Sequence, residues 1–240
     1  MTQGTLYGIG VGPGDPEWIT VKAARLLAQC RHVCVPKSRV ANESVALDIA
    51  RSYLRADAAI HELSFPMTSD ETVLQDSWQR AAAEVLGLLD SGADCCFLTL
   101  GDALLYSTYI YLLRELRKLC PAVEVVTVPG ITAFSAAAAL TNFPVGQKKQ
   151  AVTIVPASDD LGAFEAALER GGTVVLMKVG GRLPKVLEVL EAKNLLEQAV
   201  FVSHAGLAEQ QVETDLRRLR GRSEEAGYLS IVLVQAATFV

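Results

Sequence analysis

Four glycines fall within seven residues near the amino terminus, in Gly8-Ile9-Gly10-Val11-Gly12-Pro13-Gly14-Asp15-Pro16. A glycine-rich loop after a first strand could cradle a dinucleotide pyrophosphate on backbone N–H groups. The spacing rejects that chemistry. From Gly8 the pattern G-x-G-x-x-G needs glycine at 13 and meets Pro13; from Gly10 it needs glycine at 15 and meets Asp15. The second strand runs into Pro36-Lys37 rather than an acidic residue that would grip a ribose. Glycines alternating with Ile, Val and Pro offer either tight turns or a flat backbone surface on which a large ligand can lie.

Four further segments place polar groups where an apolar run ends. In Leu98-Thr99-Leu100-Gly101-Asp102-Ala103-Leu104-Leu105-Tyr106-Ser107-Thr108, a buried strand delivers Gly101 and Asp102 to its carboxyl end, followed by hydroxyls. Gly101 permits close backbone approach and Asp102 can bond a polar ligand, although an aspartate after a strand also serves as a simple helix cap. Val128-Pro129-Gly130-Ile131-Thr132-Ala133-Phe134-Ser135 carries a strand into a helix whose first turn leaves N–H groups free. Val174–Gly180 ends in Met177-Lys178-Val179-Gly180, and Ser203-His204-Ala205-Gly206 follows another strand. Met177 by itself reads more often as core than as site.

The elements that must position these loops alternate short apolar runs with helical patterns, which is α/β construction. Strands are expected at Leu6–Val11, His32–Val35 (ended by Pro36), Ile60–Phe65, Asp94–Leu100 and Val123–Val128, with helices at Thr20–Gln29, Val45–Leu54, Trp78–Leu89 and Tyr109–Leu119. A second set follows, with helices at Ala133–Leu140, Leu161–Glu169 and Leu183–Lys193 and strands at Ala151–Val155, Thr173–Val179, Ala199–His204 and Tyr228–Gln235. The junction is expected near Val128–Pro129, giving domains 1–128 and 129–240. A crevice between two packed α/β domains, lined by strand-end loops, is the default ligand site.

Composition narrows the chemistry. With 240 residues, half of them hydrophobic and a fifth charged, the chain can bury a core and is a poor fit to disorder or coiled coil. No run approaches the roughly 18 apolar residues of a membrane span. The start Met1-Thr2-Gln3-Gly4-Thr5 lacks the basic region of a signal peptide, so a cytoplasmic protein is expected. A net charge of −5 speaks against a general nucleic-acid binder while allowing a locally basic pocket. Five cysteines without a C-x-x-C pair, and three scattered histidines, supply neither a disulfide framework nor metal-ligand spacing. Cys95 and Cys96 lie in an apolar strand pattern and are expected to be buried small hydrophobes.

Taken in order, GIGVGPGDPEWITVKAARLL, LTLGDALLYST, VPGITAFSAAAA, VLMKVG and YLSIVLV resemble the tetrapyrrole methyltransferase family over essentially the whole chain. VPKSR (Val35–Arg39), LSFPMT (Leu63–Thr68), GDALLYST and LMKVG are similar to its precorrin-2 C(20)-methyltransferase branch, whose anaerobic counterpart acts on cobalt-factor II. One departure is Ala103, where the family usually carries proline after Gly-Asp. The resemblance implies a class III methyltransferase-like fold, S-adenosylmethionine as cofactor (S-adenosylhomocysteine as product), no metal, and a homodimer acting on a tetrapyrrole in cobalamin biosynthesis. The first domain would face the tetrapyrrole. It further implies a cofactor held by Leu100, Gly101, Asp102, Leu105, Tyr106, Ser107, Thr132, Ala133, Met177, Ala205 and Gly206. Lys178 is the alternative to Met177. Pro13, Gly14, Asp15, Lys37 and Arg39 would meet the substrate, with Lys22, Lys178 and Arg182 as further cations. Asp102 and Tyr106 are candidate proton acceptors. The rival readings are a sister enzyme acting on another ring carbon or on a modified protein histidine, and a non-catalytic tetrapyrrole carrier. A nicotinamide oxidoreductase fails on the glycine spacing above.

Overall fold

Residues 3–37, 44–221 and 229–236 are described by a computed structural model, in which the chain divides into two α/β units, Met1–Thr132 and Ala133–Val240. The first unit is built on five strands: β1 (Leu6–Gly10), β2 (His32–Lys37), β3 (Ala59–Ser64), β4 (Cys95–Thr99) and β5 (Val125–Val128). They lie in the order β3-β2-β4-β1-β5 and every pairing is parallel. All five therefore end on the same edge, so the loops after them share one rim. The pattern of β4, Cys-Cys-Phe-Leu-Thr, is buried at every position, as a central parallel strand covered on both faces requires.

Helices fill both faces. α1 (Val21–Gln29) and α2 (Val45–Ala50) cover one, where Leu27, Ile49, Val33, Cys96 and Leu98 form a core. α3 (Glu71–Asp90) and α4 (Tyr109–Leu119) cover the other, over Leu6, Cys95, Phe97, Leu89 and Leu116. Thr20 caps α1 through Ala23 N–H, and Asp70 caps α3 by accepting from Thr72 and Val73 N–H. α3 thus starts seven residues before the expected Trp78. Its first two turns are mostly exposed and polar, so apolar periodicity begins only after the helix does. β2 also continues through Pro36 instead of ending there. Its pairing with β4 stops at Cys34↔Phe97, so the proline lies where only β3 is still a partner.

The second unit holds β6 (Val152–Pro156), β7 (Thr173–Met177), β8 (Ala199–Ser203), β9 (Gln211–Glu213) and β10 (Ser230–Gln235), in the order β6-β7-β10-β8-β9. β6 and β7 are parallel; β10 runs antiparallel to β7 and β8, and β9 antiparallel to β8. α5 (Ala133–Thr141), α6 (Gly162–Arg170) and α7 (Leu183–Ala192) complete it, with Phe164, Leu176, Leu190, Phe201 and Val232 in its core. β9 was not expected: three largely exposed residues, Gln-Val-Glu, carry no strand pattern, and the pairing with β8 makes them one. The start of the final strand at Tyr228 falls outside the described residues.

Candidate functional site

At the shared rim of the first unit, three glycines let backbones meet. A Cβ on Gly130 would stand 2.1 Å from the Gly101 carbonyl oxygen, and one on Gly10 2.6 Å from Gly130 N. No side chain fits where these two lie, so the ends of β1, β4 and β5 are drawn into backbone contact. Gly12 and Gly101, both left-handed (φ 82° and 74°), form an isolated antiparallel bridge. Gly12 N–H donates to Gly101 O at 3.2 Å and Gly101 N–H to Gly12 O at 2.8 Å.

Asp102 locks this junction. Its Oδ1 accepts from Leu104 N–H at 2.9 Å, closing a turn within its own loop. Its Oδ2 accepts from Gly130 N–H at 3.0 Å, 28 residues away. Both carboxylate oxygens thus accept backbone N–H groups, Oδ1 within its own loop and Oδ2 holding the Leu100–Ser107 loop to the Pro129–Thr132 loop. Ala103 is fully buried and its carbonyl accepts the Ser107 hydroxyl. Leu105 and Asp102 are half-buried, whereas Tyr106 is 41% exposed in a left-handed conformation (φ 52°). A non-glycine residue held at positive φ costs about 1–3 kcal/mol and is usual where a loop is shaped for a ligand. Beneath, Tyr109 is fully buried with its hydroxyl 3.0 Å from Thr127 Oγ1. Gly8 is the seat for that ring, since a Cβ there would fall 2.1 Å from its Cζ.

The proposed substrate contacts are distributed differently. Pro13 and Gly14 are buried. Asp15 caps a short 3₁₀ turn, its Oδ1 accepting from Glu17 N–H at 2.8 Å. Lys37 is engaged by Glu62 on the neighbouring strand. Lys22 is exposed at the start of α1, and Arg39 lies outside the described residues.

The second unit repeats the device at two strand ends. After β7, the buried Met177 is followed by left-handed Lys178 (φ 60°), and Gly180 N–H donates to Ser230 Oγ at 2.8 Å. After β8, His204 is left-handed (φ 50°), Ala205 is buried, and Gly206 N–H donates to Gln210 Oε1 at 2.8 Å. Arg182 pairs with Asp159 at 2.8 Å. Thr132 closes the first unit and Ala133 opens α5.

Two hydroxyls inside the motif segments have no role assigned by the sequence. Thr99 Oγ1 and Ser203 Oγ, the last residues of β4 and β8, are buried with no hydrogen-bond partner among the described residues. A hydroxyl closing an otherwise apolar strand was the signal that could have found them. Among the described residues no group of three or more His, Cys, Asp or Glu could hold a metal, and no helix is long and apolar enough to cross a membrane. Cys95 and Cys96 are fully buried as expected; hydrogen bonding to Cys34 and Cys30, then burial, pushes both thiols well above their ordinary range.

The profile of the Tetrapyrrole (Corrin/Porphyrin) Methylases matches residues 5–220. The chain belongs to this family. It is 34% identical over 233 residues to the cobalt-precorrin-2 C(20)-methyltransferase of Salmonella typhimurium, covering 97% of this chain and 96% of that one. It is 33% identical to the precorrin-2 C(20)-methyltransferase of a Sinorhizobium species, over 96% of this chain and 95% of the relative. Among solved structures, a cobalt precorrin-4 methyltransferase superposes with a TM-score of 0.76 at 21% identity, over 98% of this chain and 96% of that one. The two α/β units are thus those of a class III tetrapyrrole methylase.

Proposed function

We propose that this tetrapyrrole methylase transfers a methyl group from S-adenosylmethionine to carbon 20 of precorrin-2 or its cobalt form, in cobalamin biosynthesis. The observation that carries the reading is the likeness to two C(20)-methyltransferases along almost the entire length of each. It includes the stretch Leu98–Thr108 that the structure folds into the locked rim loop.

S-adenosylmethionine supplies an electrophilic methyl on a sulfonium, and the protein's task is to align it with a ring carbon and keep water away. The residues present suit such a group. The rim offers apolar surface at Leu104, Tyr106 and Ile131, which are 55%, 41% and 37% exposed. The buried Thr99 and Ser203 hydroxyls have no hydrogen-bond partner among the described residues. A flat base and ribose hydroxyls match that mixture. In this reading Leu100, Gly101, Leu105, Tyr106, Ser107, Thr132 and Ala133 hold the cofactor together with Met177, Ala205 and Gly206. Asp102 acts by positioning the loop, since its oxygens are engaged by Leu104 and Gly130. Of the two candidate proton acceptors, Tyr106 is the one whose side chain is presented outward. Pro13, Gly14 and Asp15 are read as the backbone against which the macrocycle lies, and Lys37, which would have to leave Glu62, and Arg39 as cations for its carboxylates. The same reading assigns a homodimer in the cytoplasm, to be checked by sedimentation and cell fractionation.

The test is a calorimetric titration with S-adenosylhomocysteine, followed by turnover of labelled S-adenosylmethionine with metal-free or cobalt-loaded precorrin-2. Binding, and one labelled methyl in one of the two macrocycles, is expected. No binding at millimolar S-adenosylhomocysteine would refute the enzyme and leave the carrier reading.

A further inference from the structure

A groove of about 530 Å³ opens in the first unit where β3 ends against α3. Strand β3 is the outermost strand of its sheet, so this face of α3 has no further strand beside it. Pro66, Met67 and Val73 form the apolar wall; Met67 is 67% and Val73 44% exposed. The mouth lies at the same rim as the glycine junction, because all five strands are parallel. From β4 to β3 is two strand spacings, about 10 Å.

The positive charge in this groove is Arg80. Its Nε donates to the Asp76 carbonyl at 3.2 Å, one turn back along α3, and it makes no ion pair among the described residues. The tether fixes the guanidinium while leaving its terminal nitrogens able to donate to a carboxylate, which Arg does as a two-pronged fork. Lys37, at the end of the adjacent strand, is already held by Glu62. Ser77 is level with the strand end, its hydroxyl donating to the Ser64 carbonyl at 2.6 Å. Arg80 is therefore within one turn of the rim, and Glu84, the groove's acidic residue, lies a further turn away from it.

We infer that this groove is a subsite for the rim of the tetrapyrrole, in which Arg80 binds one of its peripheral carboxylates and Met67, Pro66 and Val73 contact the adjoining alkyl arm. The inference rests on the proposed function and assigns Arg80 to substrate binding, apart from the cofactor. A macrocycle bearing acetate and propionate arms is wide enough to lie at β4 and reach β3. Its anionic rim requires cations that are not already paired.

The experiment compares the wild type with Arg80→Gln and Arg80→Lys, using uroporphyrin III (eight carboxylates) and coproporphyrin III (four) as fluorescent probes alongside turnover. Arg80→Gln is expected to weaken uroporphyrin III binding at least tenfold, about 1.4 kcal/mol. KM for the tetrapyrrole should rise likewise, with kcat and S-adenosylhomocysteine affinity within twofold. Arg80→Lys keeps the charge but not the fork and should recover only part of the loss. The preference for the eight-carboxylate probe should shrink in Arg80→Gln, and its salt dependence should flatten. Wild-type affinity for uroporphyrin III in Arg80→Gln would overturn the inference while leaving the methyltransferase intact. A wild type that binds no tetrapyrrole at all would instead remove the functional reading and the subsite with it.

Discussion

Replacing Asp102 with alanine tests whether its carboxylate works as a clasp. The substitution strips the hydrogen bonds to Leu104 N–H at 2.9 Å and Gly130 N–H at 3.0 Å. Leu104 is 55% exposed, so water can take over there at small cost. Gly130 is half-buried in a junction with no room for a Cβ, and an unsatisfied buried donor costs about 1–3 kcal/mol. A loss of about 2 kcal/mol in unfolding free energy is expected, read from the urea midpoint. Freed from Gly130, the Leu100–Ser107 loop spends less time in its binding conformation. If that share falls to about one in ten, S-adenosylhomocysteine affinity drops at least tenfold, about 1.4 kcal/mol, by calorimetry. Asp102→Asn should behave almost as badly, since an amide offers one acceptor where two donors converge. Asp102→Ala with wild-type affinity and an unchanged urea midpoint would refute the clasp.

Three further outcomes are expected. Gly130→Ala, whose Cβ would stand 2.1 Å from the Gly101 carbonyl oxygen, should lose more than about 2 kcal/mol of stability and its cofactor affinity; wild-type values by urea titration and calorimetry would contradict the backbone junction. Gly87→Ala, exposed in the last turn of α3 with open space around it, should raise stability by about 0.5–1 kcal/mol; a lower melting temperature would show that the position needs glycine. His32, half-buried and 3.0 Å from His61, has its pKa lowered, first by burial and then by His61 and Arg31. The unfolded chain therefore takes up that proton first, so the contribution is present above the ordinary histidine range and is lost as pH falls through it. Urea midpoints between pH 7.5 and 5 should fall further for the wild type than for His32→Gln, and parallel slopes would exclude the pair as the cause.

Much of the rim was legible because its signals are local. A strand-sized apolar run that stops at Gly-Asp or Pro-Gly announces a strand end, and β4 and β5 end within a residue of where those motifs put them. Tyr109–Leu119 was likewise readable to the residue, because its apolar face starts and stops with the helix itself. Where local pattern and element diverge, the reading slipped. α3 begins in polar turns ahead of its apolar face, Pro36 is tolerated because β4 has ended beside it, and β9 exists only through its partner.

The sequence alone therefore determined the α/β class, the succession of strand-end loops and, through ordered motifs, the methylase family, since each is carried by neighbours along the chain. Only the tertiary structure decided how those loops are joined. That Gly10, Gly101 and Gly130 share one backbone junction, that Asp102 clasps Gly130 across 28 residues, and that Lys37 is paired with Glu62 depend on strand order β3-β2-β4-β1-β5. Strand order is set by burying both faces of the sheet at once, an energy summed over distant residues that no local spacing records.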